Sequence, residues 1–435
     1  MLDDPGLRRF LEKNLARPGD SWPLKSWDFE TLNLAALYYH PSLDVARAQW
    51  QAAVGGQKTA AGRLNPTISA VPGYDINPPE FVTPWFPAVT FDIPLETAGK
   101  RGYRQAQARH LSEASRLNIA ATAWQVRSNL RSSLIDLAAA QRRELLLRSQ
   151  KSLEEDVVHL LEQQLQAGAV SSSELTLLRI ALDKIQLDLA DAQQQRAEAR
   201  VRAADAIGVA VAALSGIELA YDLAARPVDA PALMTAEVRG QALQNRADIL
   251  GALAEYAATQ SALQLEIAKQ YPDIHLGPGY QYDQGDHKFS LSVTAELPLL
   301  NQNQGPIAEA EARRTVAAAR FSALQAKAIG EIDRAVAAYR AAQNSLATLE
   351  SLAAAQKQRA ETVAAQQKAG AADRIDGLNA QIELGAGELL QLSGQVKMQQ
   401  AFGALEDAVQ RPIDSPRPAL LEPSQRPPAK QENKP

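Results

Sequence analysis

The chain has no cysteine, which excludes disulfides, thiolate metal sites and a lipid-modified N-terminal cysteine on the sequence as given. Aromatic residues are scarce, at 5% against 46% hydrophobic residues, and alanine dominates many helical stretches. That composition suits long helices packed closely and argues against a broad aromatic core. No basic stripe or basic tail is present, and 45 basic against 50 acidic residues leave a net charge of −5, so no nucleic-acid partner is expected. No apolar run reaches the roughly 18 residues of a membrane-spanning helix. Nor does Met1-Leu2-Asp3-Asp4-Pro5 have the basic start and apolar core of an export signal. Three readings of that absence stay open: a signal already removed, a start placed too far downstream, or a chain that is not exported.

Chemistry-bearing motifs are missing too. Neither GxxxxGK[ST] nor a GxGxxG after a strand occurs, so no nucleotide site is expected. The five histidines, His40, His110, His159, His275 and His287, share no ligand spacing. No Ser/His/Asp or paired-carboxylate arrangement stands out against the helical background. The expectation is a protein without metal, cofactor or enzymatic activity.

What is present is best seen from Phe289 to Ala312. Phe289, Leu291, Val293, Ala295, Leu297 and Leu299 alternate with Ser290, Ser292, Thr294, Glu296 and Pro298, the period of a strand with one apolar and one polar face. Asn301-Gln302-Asn303-Gln304-Gly305 breaks the strand, and Pro306 suits the first position of a helix that meets no further proline until Pro412. An earlier stretch repeats the device: Val89, Phe91, Ile93 and Leu95 alternate with polar residues, and Glu96-Thr97-Ala98-Gly99-Lys100-Arg101 opens a run free of proline until Pro227. Pro66 and Pro272 lie 206 residues apart, as do Gly73 and Gly279, while Gly168 and Gly370 lie 202 apart. The chain therefore reads as a tandem repeat.

The expected organisation is a packed arm over 1–31, a first repeat over 32–207, a linker over 208–234, a second repeat over 235–410 and a disordered proline-rich tail over 411–435. In the first repeat a helix over about 32–63 precedes a hairpin over about 67–95, a long helix over about 99–167 and a helix over about 171–207. In the second, the corresponding elements are about 235–270, 273–299, 306–369 and 373–408. A helix over 99–167 would run roughly 100 Å, too long for a globule, and the two shorter helices of its repeat together match its length. The fold class is mainly α with a small β part.

Each strand is close to the length that crosses a bilayer at a tilt. Four strands cannot close a barrel, whereas three chains would supply twelve, so the pattern points to a symmetric homotrimer in an outer membrane. A soluble helical protein with two small hairpins fits the same alternation.

These residues resemble the outer-membrane factor family of TolC-type channels, over roughly 30–410, and more narrowly its heavy-metal, CzcC-like subclass. The carriers are Tyr38-Tyr39-His40-Pro41-Ser42-Leu43, Asn65-Pro66-Thr67, Ile93-Pro94-Leu95-Glu96-Thr97-Ala98-Gly99-Lys100-Arg101 and Leu297-Pro298-Leu299-Leu300-Asn301-Gln302-Asn303-Gln304-Gly305. The resemblance implies a homotrimeric twelve-stranded barrel in outer-membrane lipid, continued by a periplasmic α-helical barrel. It also implies a periplasmic adaptor and an inner-membrane RND pump as partners. The channel itself would be a passive duct, gated at its periplasmic end.

Family gates carry acids six and nine residues after the glycine of the helix–helix turn. Here those positions are Glu174 and Leu177 after Gly168, and Asp376 and Asn379 after Gly370. Rings of carboxylates would favour cations. A local role stands beside that one. Ser171-x-x-Glu174 has the form of a capping box, Asp373 can cap its helix with Asp376 in the first turn, and Gly168 and Gly370 suit helix ends. At the barrel–helix junctions, marked by Gly99, Lys100, Arg101, Gly305 and Pro306, a solvated helix start is the default for Lys100 and Arg101, with pore lining the alternative. Tyr74, Tyr280 and Tyr282 suit an interfacial belt or packing within the hairpins. Three functions follow: an exit duct for heavy-metal efflux, the same duct for drug efflux or type I protein secretion, and a soluble coiled-coil scaffold.

Overall fold

Several element boundaries fall at proline or glycine, among them Pro41, Gly62, Pro72 and Gly208. The computed structural model describes residues 2–15, 22–226, 236–283 and 285–413. Among them are nine α-helices: α1 (Pro5–Asn14), α2 (Phe29–Tyr39), α3 (Pro41–Ala61), α4 (Lys100–Gln166), α5 (Ser172–Ile207), α6 (Ala236–Asn245), α7 (Ala247–Ala268), α8 (Gln304–Lys368) and α9 (Arg374–Val409). Six strands accompany them: β1 (Ser26–Trp27), β2 (Thr67–Val71), β3 (Ala88–Leu95), β4 (Glu218–Leu219), β5 (Ile274–Asp283) and β6 (Asp286–Ala295). Residues 227–234 of the expected linker and 414–435 of the expected tail lie outside the described residues, as does Gln284 of the second hairpin loop.

The chain packs as two compact units, one made of 1–44, 120–246 and 327–435, the other of 45–119 and 247–326. The second unit holds a four-stranded antiparallel sheet in the order β2-β3-β5-β6. The two hairpins are thus one sheet, joined where Val89 pairs with Tyr280 and Ile93 with Leu276. In the first unit Leu7, Trp27, Leu32, Leu130, Leu134, Ile207 and Leu214 form a core with Ala35, Ala36, Ala199 and Ala203. Each fully buried leucine there contributes roughly 2 kcal/mol. The alanines let backbones approach, as the composition suggested.

The arm contains α1, capped by Asp4 and burying Leu7 and Leu11. A two-stranded parallel pairing of β1 with β4 was not expected from the sequence. Several boundaries also differ. The helix expected over about 32–63 is two, α2 and α3, because Pro41 has no N–H to continue α2 and its ring excludes the preceding turn. The helix expected over 235–270 breaks at Arg246, where no breaker residue marks the site. The Arg246 guanidinium instead turns inward to Ala408 O at 2.8 Å and Glu331 at 3.0 Å.

Strand β2 stops at Val71, ahead of Pro72, although an isolated Tyr74–Trp85 bridge continues the pairing. The ring of Phe86 lies so close to Gly73 that a Cβ would sit 2.2 Å from it, so glycine is required there. Strand β6 ends at Ala295, short of the expected Leu299, because its partner β5 begins at Ile274, opposite Ala295, just after Pro272. Helix α8 begins at Gln304, which places Pro306 third rather than first. Its missing N–H still falls among the four that have no partner within the helix.

Candidate functional site

Alternation along the strands builds two unlike faces. On one, Ile68 and Ala70 of β2, Val89, Phe91 and Ile93 of β3, Leu276 and Tyr280 of β5, and Phe289, Leu291 and Val293 of β6 stand in register. The other carries Thr67, Ser69, Thr90, Asp92, His275, Ser290, Ser292 and Thr294. There His275 Nδ1 lies 2.9 Å from Asp92 Oδ1. The apolar face is open: Phe289 is 81% exposed, Leu291 70% and Val293 67%. Strands β2 and β6 also leave their outer edges unpaired among the described residues. Tyr74 lies edge-on to Trp85 at 4.9 Å and Tyr280 tilts on Phe289 at 5.4 Å, contacts compatible with both roles foreseen for the tyrosines.

At the junction of sheet and helices, Lys100 and Arg101 are not the solvated helix start that the sequence suggested. Lys100 is buried, with Nζ 2.7 Å from Tyr271 O and 2.8 Å from Asp273 Oδ1. Arg101 Nη2 donates to Ala61 O at 2.6 Å, and Arg104 donates to Ala60 O and Gly62 O. Arg104 also forms a two-pronged pair with Glu96. These cations complete the carbonyl ends of the two helices that lead into strands, where the helix dipole favours positive charge. Burial opposes ionisation of Asp273, but hydrogen bonds from Lys100 and the Thr97 N–H outweigh it and hold the carboxyl below its ordinary range. Gly99, at φ +74°, makes the turn before Lys100, and Gly305 lies in the open first turn of α8. On that side Asn303, itself at φ +61°, donates to Glu266 O at 2.7 Å.

The helix–helix turns of the two repeats match in detail. Gly168 and Gly370 both adopt positive φ, +74° and +76°. Gly168 N bonds Leu165 O and Ala169 N bonds Gln164 O; Gly370 N and Ala371 N repeat this with Gln367 O and Gln366 O. Both are Schellman ends. Two capping boxes follow. Ser171 and Glu174 bond each other's backbone N–H at 3.3 Å, and Asp373 and Asp376 do the same at 2.7 and 3.2 Å. Glu174, Asp373, Asp376 and Asn379 are all exposed, with Asn379 one turn beyond Asp376. Leu175 and Leu378, beside the acids, share one apolar cluster with Val157, Val158 and Leu161.

Sequence reasoning missed a buried charge cluster. Glu406 of α9 pairs with Arg131 and, at 3.2 Å, with Arg127, and all three are buried. Asp407 accepts from Trp124 Nε1 at 2.9 Å and from the Ser128 hydroxyl. Burial raises the Asp407 carboxyl, against the pull of Ser128 and Arg131. The Phe29 ring lies 4.7 Å from the Arg127 guanidinium and 5.0 Å from that of Arg131. A signal existed: Arg127 and Arg131 sit four apart beside buried Leu130 and Leu134, and Glu406-Asp407 interrupts a helix end otherwise buried as Phe402, Leu405, Ala408 and Val409.

Duplicated long helices joined to an amphipathic, open-edged sheet are the fold of outer-membrane efflux channels. The outer-membrane channel OprN superimposes with a TM-score of 0.74 at 20% identity, over 88% of this chain and 89% of that one. VceC of Vibrio cholerae gives 0.72 at 20%, covering 88% and 95%. CusC gives 0.69 at 18%, covering 91% and 95%. The chain belongs to the outer membrane efflux protein family, whose sequence pattern matches residues 35–209 and 238–409. It is also similar to the cobalt-zinc-cadmium resistance protein CzcC of Cupriavidus metallidurans, 25% identical over 217 residues, 49% of this chain and 50% of that protein. The match thus spans about half the length of this curated relative.

Proposed function

We propose that three copies of this chain form a passive duct across the outer membrane and into the periplasm, the exit of a tripartite assembly with a periplasmic adaptor and an inner-membrane RND pump. The observation that carries this reading is the sheet, apolar and exposed on one face, polar on the other and, among the described residues, unpaired at both edges. In lipid an open edge leaves backbone groups without partners, so the sheet has to continue into other copies. Its apolar face then meets acyl chains, while the Ser/Thr face with His275 and Asp92 lines water. The helix–helix turns holding Glu174 and Asp376 form the gate, with Asn379 as a neutral second position. Carboxylates there favour cations. The similarity to CzcC supports heavy-metal cations as the cargo.

The test is deletion of the gene in its native host. Lost tolerance of zinc, cobalt or cadmium salts, restored by the gene in trans, with unchanged tolerance of organic dyes, supports this cargo. Lost dye tolerance alone contradicts it and points to drug efflux.

A further inference from the structure

Glu154 lies on the inward face of α4, in a row with Leu147, Gln150, Val157 and Leu161, all buried at three- and four-residue spacing. The residue is 7% exposed, and its Oε2 has no hydrogen-bond partner among the described residues. One turn before it, Gln150 lies against Gly385 of α9, so closely that a Cβ there would come within 3.1 Å of the amide. One turn after it, Val157 and Val158 join the apolar cluster containing Leu178 and Leu182 of α5 and Leu378 and Ile382 of α9. Glu154 therefore sits inside the seam where α4, α5 and α9 meet.

Among the described residues no charge answers it. On its own helix Lys151 pairs with Glu155 at 3.3 Å. Above it, Glu144, equally buried, is matched by Arg148 and, at 2.9 Å, by Arg196 of α5. Below it, Glu162 holds Arg179 of α5 at 2.6 Å. Asp183 and Lys184 of α5 are exposed, and Asp188 is half-buried. On α9, Glu383 pairs with Arg359 at 2.8 Å and Glu388 is half-buried. Burial raises the Glu154 carboxyl, and none of these charges opposes it. With one carboxylate oxygen buried and without a partner, the charged form costs more than the neutral acid.

We propose that Glu154 is a proton-binding site built into the α4–α5–α9 seam, which packs around the neutral acid and loosens when the proton leaves. The packed seam binds this proton more tightly than the separated helices do. Its stabilisation is complete at acid pH and is lost as pH rises from the ordinary carboxylate range through the raised value, by at most about tenfold per pH unit. The cluster below Glu154 continues into the turns of Glu174 and Asp376. If those turns gate the duct proposed above, acid favours the closed end; that consequence rests on the duct reading, whereas the proton linkage does not.

Hydrogen exchange of the α9 amides in the purified full-length protein, from pH 5 to 8 and corrected for intrinsic rates, tests the linkage without requiring conduction. In the wild type, protection over residues 374–390 should fall as pH rises, by up to about tenfold per unit. Glu154→Gln, nearly isosteric and uncharged, should keep the acid-form protection throughout, and Glu154→Leu should do the same. Equal pH dependence in all three proteins overturns the proposal, as does protection that rises with pH in the wild type. A linked seam in a protein that conducts no ions would leave this site standing and remove the duct.

Discussion

Lys100 Nζ lies 2.8 Å from Asp273 Oδ1 and joins the first repeat's strand-to-helix turn to the second repeat's helix-to-strand turn. The repeat offset of 206 residues places Pro306 opposite Lys100 and Thr67 opposite Asp273, so the tie is made once per chain. Lys100 is buried and Asp273 half-buried, so removing one member of the pair costs about 2 kcal/mol, because the other loses its partner. Lys100→Met should therefore lower the denaturant midpoint, and Lys100→Met with Asp273→Leu should recover part of the loss. Asp273 titrates below its ordinary value, so its contribution is present above the carboxylate range and lost as pH falls through the lowered value. Acid unfolding curves of wild type and Lys100→Met should converge at low pH.

Glu406 answers two buried arginines at once. Glu406→Ala should destabilise by about 4 kcal/mol, since it leaves Arg127 and Arg131 side by side without that carboxylate. Arg127→Met or Arg131→Met alone should cost less, because one cation still pairs. Thermal unfolding of the three variants gives the ranking.

Gly168 and Gly370 hold positive φ, and nothing lies within 4 Å of where a Cβ would stand on either, so strain alone opposes alanine. Gly168→Ala and Gly370→Ala should each cost about 1 kcal/mol. Gly102, helical and equally open, should tolerate alanine with a gain of about 0.5 kcal/mol. Unfolding midpoints of these variants check the contrast.

The capping box and the proposed gate make separable demands on Asp376. Asp373→Ala should cost about 1 kcal/mol by removing the acceptor for the Asp376 N–H. Asp376→Asn keeps an acceptor for the Asp373 N–H but removes the charge. It should leave the unfolding midpoint within about 0.5 kcal/mol of wild type while weakening cation selectivity. Paired stability and selectivity measurements separate the two roles.

Period and punctuation made most of this fold readable. Alternation from Phe289 to Ala295 gave the strand and its two faces, and Gly168, Gly370, Ser171 and Asp373 marked helix ends through local chemistry that a sequence displays directly. The fate of Lys100 was not readable, because Asp273 lies far along the chain and only the assembled sheet brings them together. Arg246 shows the same limit: the helix is interrupted at a residue whose side chain bonds Ala408 and Glu331, far along the chain. A capping box was foreseen for Glu174 and a first-turn place behind the Asp373 cap for Asp376, but not the reciprocal bond from Asp376 back to Asp373, and the unpartnered Oε2 of Glu154 emerged only when three helices were packed around it.

Single-channel recording in a planar bilayer, on protein extracted from the outer-membrane fraction, tests the duct most directly. A trimeric duct should give discrete openings selective for cations, with weaker selectivity in Asp376→Asn. A folded protein that inserts but never conducts, or one recovered only as a soluble helical species, would contradict it.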